Sequence, residues 1–443
     1  MGNTDFADID LFRDPDLPQD PYAYYDWVRE QGPLWYYPKW DVWLVTGYEE
    51  AIAVYHDQAT WSNCNTVSGP FVKIPVPLEG DDITEIIEAH RDELPFSDQL
   101  PSFDPPKHTA QRGLLMRLIT PKRLKENEEY MWQLADRTID EFYDRGECDF
   151  IPEYALPFTL MVIADLLGVP DEDRDEIRAK LAGRERPMAQ FRSSLVQEAG
   201  PAKLSHKPLE FLYEQFTAYI EDRRRAPRDD IMTEMAQATF PDGTLPPVDD
   251  VMRIAANLFS AGGETTARLI TMSFRRLGDR PELQQRLRDD RDLISPFIEE
   301  QLRIESPLKG SFRLSRVPTT VGRIDLPAGT TVFLMNDAVN RDPRQFENPG
   351  EFRLDRANGR MHVGFGHGIH SCAGAPLARA ETKVTIQRFL DRTEDIRISE
   401  AHHGPADARR YEYDPTYMLR GLRELHLEFV SVATSARSAA TSS

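Results

Sequence analysis

A ten-residue segment near the C-terminus, FGHGIHSCAG at 365–374, surrounds one cysteine with three glycines and two histidines. Pro376 follows Cys372 closely, where the first turn of a helix favours proline, so Cys372 is predicted to lie just before a helix N-terminus. Such a position stabilises a thiolate, and the glycines let a flat ligand approach the backbone. A buried structural cysteine is the commoner fate of a lone thiol. A thiolate beside a loop with so few side chains is suited to bind iron. It would also suit a catalytic cysteine nucleophile, although no Asn or Asp partner is obvious.

Three further motifs place chemically useful residues at helical spacing. In HTAQR, His108 and Arg112 are one helical turn apart, and taken alone they read as solvated surface charges. In EQLR, Glu300 and Arg303 share a helix face, as an ordinary surface pair or as part of a buried network. AGGETT at 261–266 puts two glycines mid-helix, each costing about 1 kcal/mol against alanine. Either close helix packing or a local widening of the helix would explain that cost.

Hydrophobic periodicity predicts the elements that position these motifs. A strand, a glycine turn and a helix are predicted over 42–57, a long irregular segment over 66–107, and helices from 112 to about 225. Long helices are predicted over about 248–277, 293–304 and 375–390, and period-two patterning over 319–336 predicts strands. The chain is therefore predicted to be mainly α with small β-sheets, without a linker that would divide it.

Composition excludes several classes of protein. The 443 residues include 53 Lys and Arg against 74 Asp and Glu, a formal charge of −21, which argues against general affinity for nucleic acid or anionic membrane. The three cysteines, Cys64, Cys148 and Cys372, are too widely spaced for a disulfide framework or a CxxC pair, so a reduced, cytoplasmic compartment is expected. The acidic, proline-broken N-terminus resembles neither a secretory signal nor a membrane anchor.

In their order along the chain, these motifs resemble those of the cytochrome P450 monooxygenases, most closely the soluble bacterial type, from about Asp16 to Phe429. The cysteine segment resembles the haem-binding loop F-G-x-G-x-H-x-C-x-G, and AGGETT resembles the oxygen-activating motif of the long central helix. The resemblance implies a cytochrome P450 fold with that helix over haem b, a single haem domain over 1–430 and a disordered polar tail over 431–443.

The resemblance also implies roles for individual residues. Cys372 is the axial haem ligand, with the amides of Ala373 and Gly374 bonded to its sulfur and Phe365 packed near the ring. Thr265 hydrogen-bonds bound oxygen, and Glu264 relays protons. The residues expected to meet the haem propionates are His108, Arg112, Arg313 and His370. The residues expected to form a structural network are Glu300, Arg303 and Arg356, supported by Phe352.

The expected reaction inserts one atom of O₂ into a hydrophobic small molecule, such as a terpenoid, steroid-like or fatty substrate. The expected substrate contacts are Asn257, Ala261, Leu308 and Met418, whereas Lys309 either pairs with a substrate carboxylate or extends to solvent. Because the chain has too few cysteines for an iron–sulfur cluster, electrons are expected from a ferredoxin and a ferredoxin reductase using NAD(P)H. A basic docking patch for the ferredoxin is expected at Arg117, Lys122, Arg123, Arg360 and His367. A monomer is expected; a peroxide-driven peroxygenase and a non-catalytic haem sensor remain alternatives.

Overall fold

The computed structural model describes residues 6–182 and 210–432. Helices in these ranges are numbered in chain order: α1 Tyr22–Gln31, α2 Tyr48–His56, α3 Thr84–His90, α4 Lys107–Met116, α5 Pro121–Asp140, α6 Leu156–Leu166, α7 Asp171–Ala182, α8 Glu210–Arg225, α9 Ile231–Ala236, α10 Val248–Asp279, α11 Pro281–Asp289, α12 Ile294–Ile304, α13 Asn336–Val339, α14 Ala375–Arg392 and α15 Glu400–His403. No helix in the described ranges has the length and apolar character needed to cross a bilayer.

The strands form three small sheets. They are β1 Leu34–Tyr37, β2 Val42–Val45, β3 Trp61–Ser62, β4 Glu147–Asp149, β5 Ser311–Ser315, β6 Thr319–Val321, β7 Ile324–Leu326, β8 Thr331–Leu334, β9 Thr393–Ile398 and β10 His426–Ser431. The largest sheet has the order β1-β2-β8-β5-β3, in which only β2 and β8 run parallel. The second sheet has the order β4-β10-β9, and β6 pairs with β7 in a hairpin.

The central helix α10 organises the main hydrophobic core. It packs against α6, α8 and α14, and its apolar residues join one continuous buried cluster with theirs. Phe150 and Phe274 stack with ring centroids 4.5 Å apart inside this cluster. Helix α5, which flanks the core, begins with a capped turn in which the Thr120 side chain accepts from the amide of Arg123 and proline occupies the first turn. A second cluster, under the largest sheet, contains Phe312.

The mainly α fold with small sheets is confirmed, and most predicted elements occur within a few residues of their predicted bounds. The prediction of an irregular 66–107 segment is wrong in one part, because α3 lies inside it. The helical region also contains β4, whose partner β10 is nearly 280 residues away and is invisible to local periodicity. Strand β10 continues to Ser431, into the predicted tail. Residues 433–443 of that tail, like 183–209 of the helical region, lie outside the described residues.

Candidate functional site

The cysteine loop is held in place by its own backbone and by α2. The amide of Cys372 donates to the Phe365 carbonyl at 2.8 Å, and Gly374 is the N-cap of α14. Gly366 and Gly368 have φ near +65°, and a Cβ at Gly368 would lie 2.1 Å from the Tyr55 carbonyl oxygen. Only glycine therefore fits where the loop passes α2.

The Cys372 side chain is accessible just before the start of α14. Burial nevertheless raises the pKa of the thiol, because dense protein surrounds it. The nearby backbone N–H groups of Gly374 and Ala375 and the charge of Arg112 lower the pKa of the thiol and favour the thiolate. The Ala375 amide donates to the Cys372 carbonyl at 3.4 Å, and donation from the Ala373 and Gly374 amides to the sulfur stays a prediction. An accessible sulfur at a helix start, with amide donors, has the chemistry of a metal-binding thiolate.

The four side chains predicted to meet the propionates are brought together beside this loop. The rings of His108 and His370 are 4.0 Å apart, and both ring nitrogens of His108 and Nε2 of His370 are buried without a hydrogen-bond partner. Burial, reinforced by Arg313, His108 and Arg112 in that order, lowers the pKa of His370 to about 2. Burial, followed by Arg112, lowers the pKa of His108 to about 4.

The one nearby carboxylate among the described residues, Asp104, acts on His108 and Arg313 only through its charge and is bound by Arg91 and Arg316. Arg112 donates to the Ser371 carbonyl at 2.7 Å, and Arg313 donates to the Phe312 carbonyl at 2.6 Å. Among the described residues, none of the four hydrogen-bonds a carboxylate. Buried donors without acceptors and buried guanidiniums without counter-charge are costly. The cluster therefore fits a ligand that brings its own carboxylates, as the two propionates of haem do.

Glu264 and Thr265 lie in the middle of α10 with different partners. The Thr265 hydroxyl donates to the Ala261 carbonyl at 2.8 Å. Glu264 accepts from Arg268 at 2.7 Å, and Arg268 also binds Asp414 at 2.8 Å. Glu264 is thus anchored through Arg268 to the C-terminal segment. The Glu264–Arg268 pair was not predicted, although its four-residue spacing is the signal that could have indicated it.

The paired glycines of α10 are explained by close packing. Helix α10 is α-helical throughout, which favours close packing over the alternative of a local widening. A Cβ on Gly262 would lie 2.6 Å from Ile163 Cδ1, and one on Gly263 would lie 2.7 Å from Leu160 Cδ2. The glycines thus bring α10 close to α6, and the opposite side of α10 carries the exposed Ala261 and the half-buried Asn257 and Thr265.

The predicted structural network is assembled as a buried ion cluster. Glu300 accepts two hydrogen bonds of 2.8 Å from Arg303, and further bonds of 3.0 and 3.1 Å from Arg356 Nε. The amide of Arg353 adds another at 3.0 Å. Phe352 packs against Phe297, with ring centroids 5.3 Å apart.

Two predictions on the substrate side are corrected by burial. Met418 is only 2% exposed and packs in the second hydrophobic cluster, with the rings of that core around it, so it does not face an accessible surface. Lys309 does not extend to solvent: it is 5% exposed, its ammonium donates to the Thr416 carbonyl, and burial lowers its pKa to about 7. Leu308 remains half-buried beside the C-terminal segment, through a bridge to Leu419.

One residue of the predicted basic patch, Arg123, is buried. It is 8% exposed and pairs with Glu234, because α5 turns it toward α9.

A network behind the cysteine loop was not predicted: Glu299 binds Arg379 at 2.7 Å and His362 at 3.1 Å, and Arg379 lies over the Phe365 ring at 4.6 Å. These contacts join elements far apart in sequence, so spacing carried no signal for them.

Comparison with known proteins identifies the family. The family model named Cytochrome P450 matches residues 186–394. Cytochrome P450 144 of Mycobacterium tuberculosis is 33% identical over 404 residues, covering 89% of this chain and 87% of the relative. The chain belongs to the cytochrome P450 family. It is a P450 monooxygenase, and the cofactor of this family is haem b with a cysteine thiolate as axial ligand.

Solved P450 structures agree with this assignment. Substrate-free cytochrome P450 CYP150A6 of Mycobacterium marinum superposes with a TM-score of 0.89 at 51% identity, covering 97% of this chain and all of that one. CYP109E1 of Bacillus megaterium in complex with testosterone superposes with a TM-score of 0.75 at 26% identity, covering 92% and 99% of the two chains. The biotin biosynthesis cytochrome P450 of Bacillus subtilis is 28% identical over 420 residues, covering 93% of this P450 and 96% of the relative.

Proposed function

We propose that this P450 binds haem through Cys372 and hydroxylates or epoxidises a hydrophobic small molecule with O₂. One observation carries the proposal: an accessible sulfur at a helix start lies beside two guanidiniums and two histidines, none of which hydrogen-bonds a carboxylate in the described part of the chain. Bound haem supplies the redox chemistry by which one oxygen atom of O₂ enters a C–H or C=C bond.

The protein's part in binding is to hold three negative charges. The amides of Gly374 and Ala375 stabilise the thiolate, and the start of α14 adds its dipole. Two carboxylates would be met by the guanidiniums of Arg112 and Arg313 and by ring N–H groups of His108 and His370. Arg112 also holds the Ser371 carbonyl, which couples the carboxylate-binding cluster to the cysteine loop.

Proton delivery is assigned to Glu264 and Thr265. Thr265 presents its hydroxyl on the accessible side of α10, where it can accept one hydrogen bond while donating to Ala261. Both hydrogen bonds from Arg268 go to Oε1 of Glu264, which leaves Oε2 to take up and pass on a proton. Arg268 is shared between Glu264 and Asp414, so it holds Glu264 in place without being an unpaired buried charge.

The substrate class is proposed to be hydrophobic: terpenoid, steroid-like or fatty. Structural relatives include a complex with testosterone and the cytochrome P450BioI complex with hexadec-9Z-enoic acid ligated to acyl carrier protein, which supports this class. Asn257, Ala261 and Thr265 lie on one accessible side of α10, and Leu308 is the remaining proposed contact.

Electrons are proposed to come from a ferredoxin and a ferredoxin reductase using NAD(P)H. Arg117, Lys122 and Arg360 are exposed and can contribute to a docking surface for an acidic partner. His367 lies 3.2 Å from His56 at the surface end of the cysteine loop. The monomeric state and the cytoplasmic location stay predictions.

The decisive experiment measures the stoichiometry of O₂ uptake, NAD(P)H oxidation and product. Substrates are first selected by the shift of the ferric Soret band toward high spin, using a library of terpenoids, steroids and fatty acids. A monooxygenase consumes one O₂ and one NAD(P)H for each product. Product formed only with added peroxide would identify a peroxygenase, and haem binding without turnover of any ligand would identify a sensor.

A further inference from the structure

A second cleft, remote from the cysteine loop, has an unusual concentration of arginine. It has a volume of about 430 Å³ and lies between the N-terminal segment, the ends of α10 and α12, and the C-terminal segment. The arginines that line it are Arg275, Arg276, Arg341, Arg409 and Arg420. Only two lining residues, Asp20 and Glu305, carry carboxylates. Asp279, just outside the lining, lies 3.9 Å from Arg275 and 4.0 Å from Arg409, so in a chain of formal charge −21 five guanidiniums face three carboxylates, a local excess of positive charge.

The buried acid of this cleft is already neutralised. Glu305 accepts from Arg275 at 2.7 Å and from Arg420 at 2.8 Å, and Tyr413 donates to it at 3.3 Å. Although burial opposes it, the two guanidiniums hold the pKa of Glu305 far below its ordinary value. The carboxylate is therefore charged, and Arg275 and Arg420 share it. It contributes little neutralising charge to the other arginines of the cleft.

Arg276 and Arg341 have mainly neutral partners. Arg276 donates to the Gln301 side chain at 2.5 Å and reaches Glu305 only at 3.6 Å. Arg341 donates to the Ile304 carbonyl at 3.1 Å, and its Nε is buried without a hydrogen-bond partner. Burial, followed by repulsion from Arg275, lowers the pKa of Arg276 to about 10. These two guanidiniums would gain from an added anion.

The lining also indicates which anion. Guanidinium forks match the oxygens of phosphate in bidentate geometry. The tyrosine rings of the cleft are already covered by guanidiniums, at 3.7 Å for Arg341 over Tyr22 and 4.0 Å for Arg420 over Tyr413. The cleft is therefore built to bind charge, not to stack an aromatic base.

We propose that this arginine cleft binds a small multivalent phosphate anion, free or as a monoester. Arg276 follows Thr265 by eleven residues on α10, so the cleft lies roughly 16 Å along the helix from the oxygen-activating residues. Occupancy would tie α10 to α12, to the N-terminal segment and to the loop after α13. The bound anion is thus a stabilising ligand at a site separate from the substrate site.

The test is calorimetric titration of the haem-loaded enzyme with inorganic phosphate, pyrophosphate, glycerol 3-phosphate and succinate, at an ionic strength held constant with sodium chloride. We expect saturable binding, tightest for pyrophosphate, and a higher melting temperature in its presence. Arg276→Gln and Arg341→Gln should each weaken binding at least tenfold. Arg397→Gln, an exposed arginine of β9, is the matched control and should change nothing.

Three results would overturn the proposal: no saturable heat with any of the phosphates, unchanged affinity in both cleft variants, or tighter binding of succinate than of pyrophosphate. If Arg276→Gln does not fold, Arg341→Gln decides, because Arg341 is only half-buried. A free-phosphate site binds inorganic phosphate and glycerol 3-phosphate equally, whereas a monoester site prefers the ester. The ferric Soret band should not move in any titration, which separates this site from the haem pocket.

Discussion

Replacing Glu300 by glutamine should destabilise the protein without changing its shape. Glu300 is 1% exposed and faces Arg303 and Arg356, whose side chains are 0% and 4% exposed. The amide removes the negative charge and turns an NH₂ group toward two guanidiniums. Removing one partner from a buried ion cluster costs about 3–5 kcal/mol. Both arginines keep hydrogen bonds to backbone carbonyls, and each donates to the carbonyl of Glu351. We therefore expect a loss of stability at the lower end of that range, about 3 kcal/mol.

The assay is unfolding of the haem-loaded protein by heat and by urea. With an unfolding entropy of about 2 cal/mol/K per residue, a 443-residue chain should lose roughly 3 °C in melting temperature. Glu347→Gln is the matched control, since its carboxylate is 82% exposed and lies 3.7 Å from Arg353. That variant should unfold like the wild type. Equal melting temperatures for the two variants would refute the reasoning that the buried network stabilises the fold.

Three further predictions concern the chemistry. Cys372→Ser should abolish the red-shifted Soret band of the reduced CO complex, whereas Cys64→Ser should keep it; a serine variant at 372 that retains the band disproves the ligand assignment. Thr265→Ala should still oxidise NAD(P)H but release more of the oxygen as peroxide, and Glu264→Gln should slow turnover instead, as measured by peroxide yield and rate. An unchanged peroxide yield would remove Thr265 from proton delivery. Asn257→Leu should weaken substrate binding by about 1–3 kcal/mol and scatter the site of oxidation, with the haem spectrum unaltered. Wild-type affinity and a single product would show that the amide has no contact with substrate.

Local sequence patterns alone determined where several helices begin and which residues share a helix face. Proline and glycine around Cys372 indicated a bare loop ending at a helix start, and α14 begins at Ala375 as that pattern requires. The i, i+3 spacing of Glu300 and Arg303 placed both on one face of a helix, where they form their ion pair. These inferences succeed because they depend on contacts within one helical turn.

The tertiary structure alone decided which of those residues are buried and what they meet. Asp414 reaches Arg268, and through it Glu264, because the C-terminal segment returns to the central helix; no spacing along the chain encodes that contact. Met418 and Lys309 were assigned to a pocket or to solvent, but packing against the largest sheet and the C-terminal segment buries both. Periodicity indicates which side of an element is apolar. Which element packs against that side depends on how distant parts of the chain meet. The same packing decides whether a buried charge finds a partner that offsets its desolvation cost.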